Sequence, residues 1–355
     1  MKDDSSCLCA DLIAGTHGRG FWILDDVTPL RQAADARAAR TAYLFKPATA
    51  VRVRFATNDP TPWPPELPAG ENPPPGGIID YYLPNDASGE VRVEILENGG
   101  KVIRRYSSND PVLRPHPALD SAAYNRVCQQ TPTAPFCGLP LYWPGAPTLL
   151  STQRGMHRFS WDLHFDPVTA GDTVPNSDEE ANGAVPHRSY TTVNAPWAPV
   201  GNYTVRLTVN GQSMTQPLTL RLDPRVKTPA AGLAQLANLS RQLYDAAVAT
   251  HAAYLQARSQ ASTLAEGSAT RARIDSIAPP PARGGGRRGG LGRRGGAGGA
   301  TLTLNGASDA LLAAAMAMQS ADVAPTAADI AAADRAKAQA SAVMARWNSL
   351  RSARQ

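Results

Sequence analysis

The side chains best suited to chemistry sit near the start of the chain. In the segment DLIAGTHGRGFWILDD, His17 and Arg19 fall in a glycine-rich turn, and Asp25 and Asp26 close the second apolar run. A carboxylate pair is the usual equipment of glycoside hydrolysis, which holds the two groups about 5–5.5 Å or about 6.5–9.5 Å apart across a sugar. Adjacent residues of an extended backbone diverge to opposite sides. Asp25 and Asp26 are therefore read as the end of a strand, bonding turn amides. Gly15, Gly18 and Gly20 signal backbone constraint, so His17 and Arg19 are read as holding the turn, with a cleft-facing role as the alternative.

A second cluster, His157, Asp162 and His164, has ligand-type side chains. His157 and His164 differ by an odd number of positions and face opposite sides of a regular strand, while Asp162 and His164 share a side but lack a third ligand. They are read as surface polar residues, and neither metal nor cofactor is expected. Trp161 is assigned to a core, an exposed indole there being the feature that would offer a sugar a platform. No G-x-S-x-G occurs, and Ser5 and Ser151 have no base-bearing context. The four cysteines form two close pairs, Cys7/Cys9 and Cys128/Cys137, neither at zinc-site spacing. Cys128 and Cys137 either form a disulfide, which would imply an oxidising compartment, or remain two thiols.

The 355 residues suffice for two or three domains. The net charge of +5 equals the five arginines 283, 287, 288, 293 and 294 of one glycine-rich stretch, so the rest is about neutral. That stretch lacks interleaved aromatics for base stacking, and nucleic acid is not the expected partner. No apolar run spans a bilayer, and MKDDSSCLCADL has neither the basic region nor the apolar stretch of a signal peptide.

From about 42 to 222 the pattern is β throughout. Val91, Val93 and Ile95 alternate with polar residues, Asn98-Gly99 supplies left-handed turn positions, and KVIRRY returns. Tyr203, Val205, Leu207 and Val209 line one face, Asn210-Gly211 turns the chain, and Leu218, Leu220 and Leu222 come back. Between them MHRFSWDLH places Phe159, Trp161 and Leu163 opposite Arg158, Ser160 and Asp162. After Thr228-Pro229, read as a cap, the period becomes helical. Leu236, Leu239, Leu243, Ala247 and Tyr254 mark one helix over roughly 229–265. Ser308 is read as capping a helix over 309–320, and Thr326 another with the stripe Ile330, Ala333, Ala336, Ala340, Met344 and Trp347. An antiparallel helical hairpin or three-helix bundle is expected, interrupted by an Arg/Gly-rich linker at 279–300. Trp63-Pro64-Pro65 and Asn72–Pro75 favour extended polyproline conformation and suit docking on another domain.

Several motifs, in order, resemble the C-terminal part of bacterial glycosyl-hydrolase-like, sortilin-like (VPS10-type) proteins built on BNR-repeat β-propellers. They are LIAGTHGRGFWILDD at 12–26, LFKPATAVRVR at 44–54, ENPPPGGIIDYYL at 71–83, GMHRFSWDL at 155–163 and GNYTVRLTVNGQSMTQPLTLRLDPRVKTP at 201–229. The resemblance implies a mainly β plus α chain: residues 1–30 as a remnant of the last propeller blade, 40–225 as an immunoglobulin-like β-sandwich with Pro-rich loops, and 226–355 as helical. It implies a secreted or periplasmic setting and a non-catalytic structural or interaction module from a truncated family member, contacting a propeller or another protein. The alternative it implies is the accessory part of a sialidase-like or glycosidase-like enzyme that binds carbohydrate.

Overall fold

The computed structural model describes residues 11–18, 20–54, 64, 66–67, 76–112, 120–130, 132, 137, 149–168, 184–185, 188–189, 193–281 and 302–352. The chain mixes helix and strand and divides into two compact units. One comprises Met1–Asp166, Ala181–Thr192 and Ala198–Arg225; the other comprises Pro167–Glu180, Val193–Trp197 and Val226–Gln355.

In the first unit β1 (Leu12–Gly15) and β2 (Phe21–Leu24) form a two-stranded hairpin. A 3-10 turn at Thr28–Gln32 and helix α1 (Ala33–Ala38) follow, then β3 (Tyr43–Leu44), β4 (Ala50–Arg52), β5 (Gly77–Leu83), β6 (Val91–Leu96) and β7 (Val102–Ser107). Helix α2 (Ser121–Gln130), β8 (Gly155–Trp161), the short pair β9 (Ala184–Val185) and β10 (Arg188–Ser189), β11 (Gly201–Val209) and β12 (Gln212–Leu222) complete it. One sheet has the order β4-β12-β11-β6-β7 and another β3-β5-β8.

Alternation explains how the two sheets bury side chains. Val91, Val93, Ile95, Val205, Leu207, Leu218 and Leu220 of the larger sheet are buried, as are Ile79, Tyr81, Leu83, Phe159 and Trp161 of the smaller. Tyr106 meets Phe159 edge-on at 4.6 Å between ring centroids, and Trp161 meets Tyr203 at 5.3 Å, so the inward faces are in contact. Each such aromatic pair contributes about 0.5–1.5 kcal/mol beyond area burial.

The β11–β12 turn has Asn210 and Gly211 at φ 50° and 80°, the left-handed pair that a two-residue hairpin loop demands. The β6–β7 turn departs from expectation: its left-handed positions are Gly99 and Gly100, not Asn98-Gly99. Pro217, which cannot donate to a ladder, pairs with Thr204 in a stretch of β12 that precedes its pairing with β4 at Leu220–Leu222. The all-β expectation for 42–222 is overturned by α2. Its signal is Asp120, whose carboxylate accepts from the Ala123 amide at 2.8 Å and caps an alanine-containing first turn. The helical segment 28–38 was likewise absent from the sequence reading.

The second unit holds α3 (Ala230–Ser262), α4 (Ala269–Ile277), α5 (Leu304–Ala317) and α6 (Ala327–Ser352). They share a core of Leu236, Leu243, Ala247, Ala257, Ile274, Leu311, Ala333, Val343 and Trp347 among others. α3 packs against α4, α5 and α6. Short alanine side chains allow this approach. Two expected caps are corrected. Thr228 does not cap α3; its hydroxyl donates to the Asp322 carbonyl. Ser308 is buried inside α5 and donates to the Ala247 carbonyl at 3.0 Å, while Thr303 caps that helix through the Gly306 amide. Thr326 does cap α6, in a reciprocal box with Asp329. Helix α4 carries too short a pattern for periodicity to reveal, although Ser268 caps it. The segment 193–197 belongs to this unit, and the Trp197 amide donates to the Gln319 side chain at 3.1 Å. No helix among the described residues is long and apolar enough to cross a membrane.

Candidate functional site

The β1–β2 hairpin exposes on both faces side chains that ordinarily form cores. Leu12, Ile13, Phe21, Trp22, Ile23 and Leu24 are 51–82% exposed, with Phe21 the most open. An isolated two-stranded hairpin is marginal in water, yet this one is fastened at both ends. At the turn, the Thr16 amide and hydroxyl both donate to the Gly20 carbonyl, at 3.0 and 2.8 Å. At the open end the Asp26 amide donates to the Asp11 carboxylate at 2.9 Å.

Arg158 of β8 supplies the remaining fixing point. Its guanidinium donates to the carbonyls of Asp25 and Asp26 at 2.9 and 2.8 Å and grips the Asp80 carboxylate at 2.9 and 3.2 Å. Asp80 is buried on β5, directly across the ladder from Arg158. Burial raises the Asp80 carboxyl pKa against the lowering influence of Arg158. Asp26 turns the chain at φ 50°, where the hairpin gives way to the 3-10 turn.

The expected site residues do not converge. His17 lies exposed in the turn, Asp25 lies half-buried beyond the opposite end of β2, and Arg19 lies outside the described residues. Burial, then the neighbouring Asp11, raises the Asp25 pKa, with Arg158 opposing. Thr16, absent from the sequence reading, bonds across the turn; Asp26 bonds a turn amide, that of Thr28, at 3.1 Å. Ser5 and the Asn72–Pro75 segment lie outside the described residues, as does the linker from 282 onward; of Trp63–Pro65 only Pro64 is described.

The second cluster is corrected. His164 is buried and not a surface residue, and Asp162, its side chain 28% exposed, is tied into the β unit by an ion pair with Arg104. Arg104 is 5% exposed and projects from the inward face of β7, pairing with Asp162 and lying 3.7 Å from Asp166 and 4.7 Å from the Tyr106 ring. The strand ends at Trp161, and Leu163 at φ 61° breaks the alternation that had set Asp162 on the outer face. The Asp162 carboxylate also accepts from the His164 amide at 3.0 Å. His157 instead bonds the Gln153 carbonyl at 2.6 Å. No cluster of three metal-ligating side chains occurs among the described residues. Trp161 is fully buried, its indole N–H donating to the His164 carbonyl at 3.0 Å; among the described residues the exposed indole is that of Trp22. Ser151 is tied through its amide and carbonyl to the Tyr81 hydroxyl, whose pKa burial pushes up to about 12. Cys128 and Cys137 are joined by a disulfide, with Cα atoms 5.5 Å apart.

Burial holds His164 neutral, its pKa pushed down to about 4 from 6.5. The unfolded chain therefore takes up a proton at this residue that the folded chain refuses. Stability should fall as pH drops from about 6.5 to about 4, by up to about 3 kcal/mol from this residue. Asp80 and Asp166, raised by burial, act in the opposite sense, so the readout is a difference. Urea midpoints at pH 7.5 and 4.5 should drop more in the parent than in His164→Gln; equal drops would refute the assignment.

No protein-family model, curated protein or solved structure matches the chain.

Proposed function

We propose that this chain is a non-catalytic C-terminal structural and interaction module of a secreted, sortilin-like BNR-propeller protein, docking through the β1–β2 hairpin. In this reading the two larger sheets form an immunoglobulin-like sandwich, the helices form an antiparallel bundle, and the hairpin adds its strands to a propeller blade. The observation that carries it is the hairpin, apolar on both faces yet 51–82% exposed at its six large side chains. Apolar side chains grouped in this way mark surfaces that bury themselves against a partner. The Cys128–Cys137 disulfide supports an extracytoplasmic setting, because such bonds persist in oxidising compartments.

Limited proteolysis read by mass spectrometry tests the proposal. At dilutions where the chain is monomeric, cleavage should fall first within 11–26 while β11, β12 and α3 survive. A hairpin as resistant as β11 and β12 under those conditions would mean that its strands already have partners within the chain, and the reading would fail.

A further inference from the structure

β2 reads Phe21-Trp22-Ile23-Leu24, and β1 reads Leu12-Ile13-Ala14-Gly15. Neither strand contains a charge or a proline, the devices that normally blunt an exposed edge. β2 offers the bulk, whereas Ala14 and Gly15 leave β1 little to pack. The hairpin is also built in advance, closed by Thr16 at the turn and held at its base by Asp11 and Arg158. A strand arriving at β2 therefore meets an ordered edge and bears little of the entropy of forming it.

We propose that the β2 edge takes β2 of a second copy of this chain, antiparallel, about a two-fold axis through Trp22. This rests on the hairpin being a docking element and names what fills it when no other strand does. Side-chain direction selects the register. Paired residues must point to the same face, so the two numbers sum to an even value under the two-fold. Centring on Trp22 sets Trp22 opposite Trp22 and Phe21 opposite Ile23 on both sides of the axis. Aromatic–aromatic and aromatic–β-branched pairs are the ones that stabilise antiparallel ladders.

Charge favours the same arrangement. In sequence His17 and Arg19 precede β2, and Asp25 and Asp26 follow it. An antiparallel copy brings the acidic end of each strand toward the basic end of the other. A parallel copy would set like charges together. The strand is thus complementary to itself in both shape and charge, which a foreign strand would have to match separately.

Sedimentation of the full chain over a concentration series should show a monomer–dimer equilibrium. Trp22→Lys should raise the dissociation constant roughly thirtyfold or more, as expected for loss of a central aromatic anchor. At dilutions where the parent is monomeric its thermal midpoint should match the parent's, because Trp22 is exposed within its own chain. Under mild oxidation Trp22→Cys should form a covalent dimer that Ile23→Cys does not, since only position 22 faces itself. A monomer at every concentration, a dimer indifferent to Trp22→Lys, or cross-linking through position 23 alone would each overturn the proposal. Hydrogen exchange separates the two levels of failure. A monomer in which the β2 amides that face away from β1 exchange freely rejects the second copy alone; a monomer in which those same edge amides are protected rejects the docking reading as well.

Discussion

Asp162→Ala should destabilise the β unit by about 3–5 kcal/mol, the cost of leaving a buried charge without its partner. Arg104 stands on the inward face of β7 at 5% exposure, and its guanidinium pairs with the Asp162 carboxylate. Asp166 at 3.7 Å, the Phe165 carbonyl at 3.4 Å and the Tyr106 ring at 4.7 Å remain near the guanidinium as poorer partners, so the effect should fall at the lower end. Replacing both ends of the pair tells a different story from removing one. The double variant Asp162→Ala/Arg104→Met should be more stable than Asp162→Ala alone, since an apolar side chain of similar length needs no counter-charge. Urea denaturation followed by the buried Trp161 indole measures both. If the double variant is no better, the cost lies in the lost acceptor for the His164 amide and not in the orphaned guanidinium.

Gly76→Ala should be comparably damaging, for a steric reason. Gly76 sits at φ 109°, and an added Cβ would lie 2.0 Å from the Trp161 carbonyl oxygen and 2.8 Å from Ser160 Oγ. Backbone strain and a clash with a backbone atom cost roughly 1–3 kcal/mol each, or about 2–6 kcal/mol together. The neighbouring Gly77→Ala is the control. Its Cβ would stand 3.4 Å from Leu218 and Trp161 side-chain atoms, which is ordinary contact, and it has no left-handed φ. Thermal unfolding should show a large loss for the first and a small one for the second. Equal losses would place the sensitivity in the general packing of β5 instead.

These two positions show what the sequence reveals and what it hides. Asn210-Gly211 between alternating apolar runs is legible because turn chemistry and period two point to the same hairpin. Gly76 and Gly77 look alike as letters, and only the strand opposite them distinguishes their roles. The long stripes of α3 and α6 can be read, whereas Thr303 and Ser308 are equally good capping residues until packing decides between them. Arg104 was readable and was missed. Consecutive arginines on a strand must point to opposite faces, so one of Arg104 and Arg105 had to enter the core and would need a counter-charge there. The exposed hairpin was legible as a pair of strands without neighbours. Its grip by Arg158 was not, because it joins residues more than a hundred positions apart.

The bond between the Trp197 amide and Gln319 spans 122 residues of chain, and the same Gln319 amide donates to Ser240 at 2.8 Å. At ribosomal rates of about 5–20 residues per second, Trp197 is made roughly 6–24 s before its partner exists. For that interval the segment 193–197 and much of the apolar face of α3 wait without α5. A pause in translation anywhere between the two lengthens the wait. The helical unit therefore closes only once Gln319 has been made, well after the first of the residues that it joins.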